Sequence, residues 1–190
     1  MAPYLMVFYP FLAARRAAAV FRPDAAWRTW VSDHILLGGF LLPTDVAELQ
    51  RLGIRAVVNV SEELLDPVET LRAAGIAYHQ VRCWDMSVPT LECADRGVQF
   101  VADHIAQGHR VYIHCASGVG RSVLLTLCYL AEHEGLDASE ALARLTSLRP
   151  RINMKPLQRE FVDSYVAWRR NRGHIPESFG GAATPARPGR

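Results

Sequence analysis

One stretch of the sequence, Val111 to Ser122, combines a cysteine, two glycines and an arginine in a spacing that suits phosphate chemistry. Five residues separate Cys115 from Arg121, with a buried strand predicted before the cysteine and a helix predicted from the arginine onward. Backbone N–H groups at a helix N-terminus are unpaired, and the helix dipole is positive there. The stretch therefore predicts a loop that binds a phosphate dianion.

Each residue type in this loop suits a chemical task. We predict that Cys115 is a nucleophile, because the positive field favours its thiolate and should lower its pKa from about 8.5 to roughly 3.5–7.5. Arg121 offers a planar fork of donors that matches two phosphoryl oxygens. The glycines let the backbone curl into an anion nest. The phosphate-binding residues are predicted to be Ala116, Ser117, Gly118, Val119, Gly120 and Arg121.

Two polar residues border the loop. His114 is predicted to orient it by hydrogen bonds rather than to act as a base or metal ligand. Ser122 has two interpretations: it donates to the Cys115 sulfur and helps the sulfur leave, or it caps the following helix. No metal or other cofactor is predicted, because the arginine, the amides and the helix dipole supply the positive charge.

Phosphoryl transfer to sulfur also requires a proton for the departing oxygen. Asp85 lies in a predicted loop, Arg82 to Pro89, where a lid could close over a substrate. We predict that Asp85 is this acid, and that it later activates the water that hydrolyses the phosphocysteine. The competing carboxylates are two residues within a predicted helix and one pair far upstream: Asp95, Asp103, Glu62 and Glu63.

Short apolar runs alternate with amphipathic stretches, which predicts an α/β domain with a central, mostly parallel sheet flanked by helices. Strands are predicted at residues 34–41, 54–60, 76–82 and 111–114. Helices are predicted at residues 44–52, with Thr44 as the cap, and at 66–74, 91–107, 121–134, 137–148 and 156–170. Asp137 and Glu140 form a predicted capping box.

The composition indicates one domain in a reducing compartment. A chain of 190 residues, 50% of them hydrophobic, can bury a core without metal or disulfide staples. Its four cysteines lack CxxC spacing, so Cys83, Cys93 and Cys128 are predicted to be inert thiols. The net charge of +2 does not indicate a nucleic-acid partner. We predict a phosphatase domain over residues 31–170 and a disordered tail over residues 171–190.

Residues 1–30 form an apolar N-terminal segment with two interpretations. Spanning a bilayer takes about 20 consecutive apolar residues. Arg15 and Arg16 interrupt the apolar run of residues 1–21 before it reaches this length. The segment could lie on a membrane surface with its arginines facing anionic headgroups. Alternatively, it could be a helix that covers the core of the domain. The predicted location is cytoplasmic, and the first interpretation adds a peripheral position on the inner face of a membrane.

Taken together, these residues resemble the protein tyrosine phosphatase superfamily, specifically its dual-specificity branch. That branch places an acid loop before a His-Cys-x5-Arg-Ser loop, as Asp85 lies 30 residues before Cys115. The resemblance implies a dual-specificity-phosphatase-like fold. It also implies that Cys115 is the nucleophile, Arg121 the phosphate clamp and Asp85 the general acid.

Within that branch the chain is similar to the mitochondrial phosphatidylglycerophosphate phosphatases and their bacterial relatives. The similarity rests on four motifs: Val7-Phe-Tyr-Pro10, Asn59-Val-Ser-Glu-Glu63, Asp85-Met-Ser-Val-Pro-Thr90 and Gly97-Val-Gln-Phe100. The chain departs from these lipid phosphatases at two positions, because Ala116 and Val119 stand where they carry basic residues. The loop is therefore closer to that of a protein phosphatase.

Three functions fit these observations. The leading one is hydrolysis of a phospholipid monoester such as phosphatidylglycerophosphate. The second is dephosphorylation of proteins, either at phosphotyrosine alone or at both phosphotyrosine and phosphoserine or phosphothreonine. The third is a non-catalytic phosphate-binding module, which the presence of both Cys115 and Asp85 disfavours. The expected partners are thus a phosphorylated lipid or a phosphoprotein, with peripheral membrane contact through the N-terminal segment.

Overall fold

A computed structural model of the chain describes residues 10, 14, 16–17 and 26–171. The predictions of an apolar N-terminal segment and of a disordered tail fall largely outside these residues. Arg16 is described, and its guanidinium donates to the carboxylate of Asp45, with one bond of 2.6 Å, and lies 5.8 Å from the Phe40 ring centroid. Arg16 is therefore paired with a carboxylate of the domain. None of the helices in the described part of the chain is long and apolar enough to cross a membrane.

Five strands form one mixed sheet, which confirms the predicted α/β fold with a mostly parallel sheet. They are β1 (Arg28–Trp30), β2 (Ile35–Gly38), β3 (Ile54–Asn59), β4 (Ala77–Gln80) and β5 (Arg110–His114), in the spatial order β1-β2-β5-β3-β4. Strands β2, β5, β3 and β4 are parallel, and β1 pairs antiparallel with β2. The sequence prediction missed β1, which has only three residues and is half-buried.

The four parallel strands end level with one another. Gly38 pairs with His114, His114 with Asn59, and Asn59 with Gln80. The four loops that follow these strands consequently meet at one edge of the sheet. Loops at the carboxyl ends of parallel strands are the usual place for a ligand site in an open α/β sheet.

Helices cover both faces of the sheet. They are α1 (Val46–Arg51), α2 (Val68–Ala73), α3 (Leu91–Ala106), α4 (Arg121–His133), α5 (Ala138–Leu148) and α6 (Pro156–Arg170). Strand side chains alternate between the two faces, as the pleat requires. One core joins Ile35, Leu37, Val111 and Ile113 to α3–α6, and a smaller one joins Leu36, Val57 and Tyr112 to α1 and α2.

Helix starts differ from the sequence prediction where a side chain has another partner. The cap at Thr44 is wrong: Pro43 begins a 3₁₀ turn, and the Asp45 carboxylate accepts from Leu42 N at 2.7 Å. Helix α2 begins at Val68 rather than at Asp66, whose carboxylate binds a histidine described below. Asp137 does cap α5, by accepting from Ser139 N at 2.8 Å.

Candidate active site

The loop from Cys115 to Gly120 joins β5 to α4 and surrounds the sulfur of Cys115. The Gly118 N–H donates to this sulfur at 3.3 Å, and the Ser122 hydroxyl lies 3.4 Å from it. Ser122 is within α4, whose N-cap is Gly120, so of the two interpretations of Ser122 the geometry favours a contact with sulfur. Cys115 itself is buried.

The carbonyl groups of this loop point away from its centre. All four carbonyl oxygens of residues 116–119 bind groups outside the loop: Phe40 N donates to Ala116, Arg149 donates to Ser117 and Gly118, and Asn153 N donates to Val119. In a trans peptide the N–H is directed opposite to the C=O. The amides of the following residues therefore point into the loop and form an anion nest.

A glycine is required at position 118. Gly118 has a φ of +66°, in the left-handed region that favours glycine. A Cβ there would lie 2.4 Å from the backbone of Gly38, at the end of β2. The loop thus lies directly against the neighbouring strand, which leaves no space for a side chain.

The environment of Cys115 favours its thiolate. Burial alone would raise the pKa of this thiol, but Arg121 and hydrogen bonds from Ser122 and Ser117 lower it from 9.0 to about 7. Burial raises the pKa of Cys83 to about 12. It raises that of Cys128 well above 9.0. Of these three cysteines, Cys115 ionises most readily near neutral pH.

Arg121 is held by a carboxylate that the sequence prediction did not assign. Its guanidinium binds Glu63 with both terminal nitrogens, at 2.9 and 2.6 Å, and donates to the carbonyl of Cys83 at 2.9 Å. Both side chains are almost completely buried. Burial opposes the charge of Arg121, but Cys115 and Glu63 raise its pKa. Glu63 therefore orients the guanidinium. Its sequence signals were an acidic pair directly after a buried strand and the Asn59-Val-Ser-Glu-Glu63 motif of the resemblance.

Asp85 reaches the same guanidinium from a different loop. Its Oδ1 lies 3.2 Å from Nη2 of Arg121, and its side chain is 53% exposed. The loop turns sharply here, because Met86 has a φ of 62° and the Ser87 hydroxyl donates to the carbonyl of Trp84 at 2.8 Å. The predicted acid thus lies at the mouth of the phosphate loop.

The competing carboxylates have other neighbours. Asp95 pairs with Arg169 at 3.2 Å, on the surface formed by α3 and α6. Glu62 lies 3.9 Å from Arg82, and Asp103 is within α3. Of these four carboxylates, only Glu63 contacts Arg121, as Asp85 also does.

His114 supports the loop from below. Its ring is fully buried, Nε2 lies 2.9 Å from the carboxylate of Asp66, and the ring stacks on Tyr112 at 5.3 Å. The backbone carbonyl of His114 accepts from Val60 N at 2.7 Å. This geometry agrees with the predicted orienting task, while its partner Asp66 had been interpreted only as a helix start.

Together these groups supply a nucleophile, a phosphate-binding loop and a proton donor, as a cysteine-dependent phosphatase requires. Residues 37–168 match the family profile described as "Dual specificity phosphatase, catalytic domain". The chain belongs to this family, which confirms the predicted phosphatase class and the fold.

Several relatives carry a more specific name. The chain is 29% identical over 168 residues to "Phosphatidylglycerophosphate phosphatase PTPMT1" of Arabidopsis thaliana, covering 84% of this chain and 48% of the relative. It is 30% identical over 173 residues to "Phosphatidylglycerophosphatase and protein-tyrosine phosphatase 1" of Mus musculus, covering 84% of this chain and 88% of that one. The chain thus spans about half the length of the plant relative and most of the mouse one.

A solved structure agrees with these sequence matches. The crystal structure of PTPMT1 in complex with PI(5)P superposes with a TM-score of 0.72 and 26% identity. The match covers 78% of this chain and 99% of that one. The resemblance noted in the sequence is therefore confirmed in three dimensions.

Proposed function

We propose that the protein hydrolyses a phospholipid monoester, such as phosphatidylglycerophosphate, through a phosphocysteine intermediate. The observation that carries the proposal is the phosphate loop, in which a thiol with a pKa of about 7 faces inward amides beside Arg121. Similarity to relatives named for phosphatidylglycerophosphate supports the substrate.

In the first step the Cys115 thiolate attacks phosphorus, and the bond from phosphorus to the leaving oxygen breaks. Arg121 and the loop amides bind the three non-bridging oxygens, over which charge is spread in the transition state. Asp85, at the mouth of the loop, gives its proton to the leaving oxygen. The product is a dephosphorylated alcohol and a phosphocysteine.

In the second step a water molecule attacks phosphorus on the side that the alcohol has left. Asp85, now ionised, accepts a proton from this water. The phosphorus–sulfur bond breaks and Cys115 leaves as a thiolate. The Ser122 hydroxyl, 3.4 Å from the sulfur, donates to that thiolate and makes it a better leaving group. Inorganic phosphate is released and the loop is restored.

Two exposed apolar side chains support a lipid substrate. Leu65 is 75% exposed and Met86 is 63% exposed, the two largest values among the exposed large hydrophobic residues that the structure describes. Leu65 lies two residues after Glu63, and Met86 follows Asp85, so both belong to the loops that reach Arg121. Apolar side chains beside a phosphate site suit a monoester that carries acyl chains. They also suit peripheral contact with the membrane that holds it.

One observation favours a protein substrate instead. The loop has no cation besides Arg121, because Ala116 and Val119 are uncharged, and a lipid phosphate with further negative charge would gain from one. The name of the mouse relative includes both activities. Dephosphorylation of proteins is accordingly the second candidate.

The test is phosphate release from phosphatidylglycerophosphate in mixed micelles and, in parallel, from a phosphotyrosine peptide. Cys115→Ser is the blank in both assays. We expect kcat/KM to be at least about tenfold higher on the lipid, which corresponds to about 1.4 kcal/mol of additional transition-state stabilisation. A preference for the peptide would assign the protein to signalling. Binding of either substrate without phosphate release would indicate a non-catalytic module.

A further inference from the structure

A second arginine lies directly behind the phosphate loop. Arg149 follows α5, and its side chain is 1% exposed. Its hydrogen bonds to residues 26–171 all run to neutral oxygens, and no ion pair links it to a carboxylate of that part of the chain. Burying a guanidinium whose partners in the described residues are all neutral is costly, so its position calls for a physical reason.

Arg149 joins the phosphate loop to the first strand of the sheet. On the loop side, Nε donates to the carbonyl of Gly118 at 2.8 Å and Nη2 to that of Ser117 at 3.4 Å. On the strand side, Nη1 donates to the carbonyl of Ala26 at 2.7 Å and to the Thr29 hydroxyl at 2.9 Å. Nη2 also approaches the carbonyl of Trp27. The planar fork thus fixes two consecutive peptide groups of the loop.

One of these peptide groups connects Arg149 to the sulfur. The carbonyl of Ser117 binds the guanidinium, and the N–H of the same peptide, on Gly118, donates to the Cys115 sulfur at 3.3 Å. A cation on the carbonyl side polarises the peptide and strengthens its N–H as a donor. The next peptide is held in the same way through the carbonyl of Gly118, which directs the N–H of Val119 into the loop.

We infer that Arg149 is a positioning residue of the phosphate loop: it holds two peptide groups with their N–H bonds toward the sulfur and the phosphoryl oxygens, and it adds a second positive charge behind them. Burial and the neighbouring Arg151 lower the pKa of Arg149 to about 10, so it remains charged at neutral pH. The negative charge that it faces is that of the Cys115 thiolate. Arg149 acts through peptide groups and touches no substrate atom.

Other charged or titratable groups also influence the sulfur. Those around it are Arg121 from α4, Glu63 after β3, Cys83 and Asp85 after β4, and His114 at the end of β5. None of them changes in an Arg149 variant. A change in the ionisation of Cys115 in such a variant can therefore be assigned to Arg149.

The experiment measures the rate at which iodoacetamide alkylates Cys115 in the full chain as a function of pH. The variants are Arg149→Met and Arg149→Lys. The matched control is Arg144→Met, which changes an exposed arginine of α5, the helix that Arg149 follows. In Arg149→Met we expect the midpoint to rise above about 7 but to stay below 9.0, because Arg121 and the hydrogen bonds from Ser122 and Ser117 still lower it. Arg149→Lys keeps the charge but not the fork, so its midpoint should stay closer to 7.

Turnover of an aryl phosphate supplies the second readout. We expect kcat/KM to fall about 100-fold in Arg149→Met, as for loss of a preorganised donor, and about tenfold in Arg149→Lys. A merely structural residue would lower the melting temperature and the active fraction but leave the alkylation midpoint unchanged. Neither readout involves a lipid, so failure of the proposed lipid substrate would not affect the inference.

The inference is overturned if folded Arg149→Met shows the wild-type midpoint. If that variant does not fold, Arg149→Lys and Thr29→Val decide, because Thr29→Val removes one acceptor of Arg149 at a distance from the loop. An upward shift of the midpoint in Thr29→Val supports the inference. Wild-type midpoints and turnover in both of these folded variants overturn it.

Discussion

The same four residue types, Cys, Arg, Glu and Asp, occur in two clusters of this chain with opposite chemical results. The loop cluster contains Cys115, Arg121, Glu63 and Asp85, and the helix cluster contains Cys128, Arg169, Glu132 and Asp95. The pKa of the loop-cluster cysteine is lowered to about 7, whereas that of the helix-cluster cysteine is raised well above 9.0.

The sign of the nearest charge explains this difference. Both thiols are buried, and burial raises the pKa of each. Next to Cys115 is the cation Arg121, whereas next to Cys128 is the anion Glu132, one helical turn away. Burial therefore does not activate a cysteine, but it makes the neighbouring charge decisive because water does not screen it.

The largest expected difference concerns the two cysteines themselves. Cys115→Ser should lower kcat/KM on any phosphomonoester by at least about 10⁴-fold, because the nucleophile is removed. Cys128→Ala should leave kcat/KM within about threefold of wild type. Phosphate release by the purified variants measures both. Equal losses in the two variants would show that the comparison has no catalytic meaning.

The pH dependence of the wild type follows from the same thiol. Since the pKa of Cys115 is lowered to about 7, the thiolate is the main form above that pH and is lost below it. On an aryl phosphate, whose leaving group requires little protonation, kcat/KM should therefore fall about tenfold per pH unit on the acid side of pH 7, until the substrate also titrates. Alkylation should follow the same curve for Cys115 and remain slow for Cys128 up to pH 9.0. A midpoint near 9.0 for Cys115 would contradict the electrostatic explanation.

The two aspartates provide the second difference. Asp85→Asn should lower kcat on an alkyl phosphate by about 10²- to 10³-fold, because the leaving oxygen loses its proton donor. The loss should be smaller on an aryl phosphate, whose leaving group requires less protonation. Asp95→Asn removes a partner of Arg169 at the α3–α6 surface and should not change kcat. An equal loss on both substrates in Asp85→Asn would argue against general-acid catalysis.

The contiguous part of the site could be predicted from the sequence, but its distant supports could not. Cys115 to Ser122 follow one another, so a strand, two glycines and a helix start suffice to predict the loop. Glu63 lies 58 residues from Arg121 and Asp66 lies 48 residues from His114. Their positions depend on the register that sets Asn59 beside His114, and no local pattern reveals this register.

The same reason explains why Arg149 was not singled out. It lies 31 residues from Gly118, in a turn whose sequence gives no indication of phosphate chemistry. Thr44 illustrates a different limit. Its residue type fits a helix cap, but Pro43 and Asp45 compete locally and begin the turn earlier. Propensity thus predicted most helices to within about two residues and failed where a neighbouring side chain had a better partner.

The two glutamates provide the third difference. Glu63→Gln should raise KM and lower kcat/KM by about tenfold or more, because Arg121 loses the carboxylate that orients its fork. Glu132→Gln alters the other cluster, where the glutamate accepts from Tyr165 and Arg169, and should leave KM unchanged. Steady-state kinetics on one aryl phosphate compares the pair. A larger effect from Glu132→Gln would invert the assignment of the two clusters.

The smallest expected effect concerns the arginine of the helix cluster. Arg169 pairs with Glu132 and Asp95, but its side chain is 37% exposed, so water screens these pairs. Arg169→Gln should lower the free energy of unfolding by less than about 1 kcal/mol and leave kcat/KM unchanged. Arg121, in contrast, is buried, so water cannot take the place of Glu63 as its hydrogen-bond partner. If urea unfolding shows that Arg169→Gln lowers the free energy of unfolding by several kcal/mol, the helix cluster is a structural network. The difference in exposure would then not explain how Arg169 and Arg121 differ.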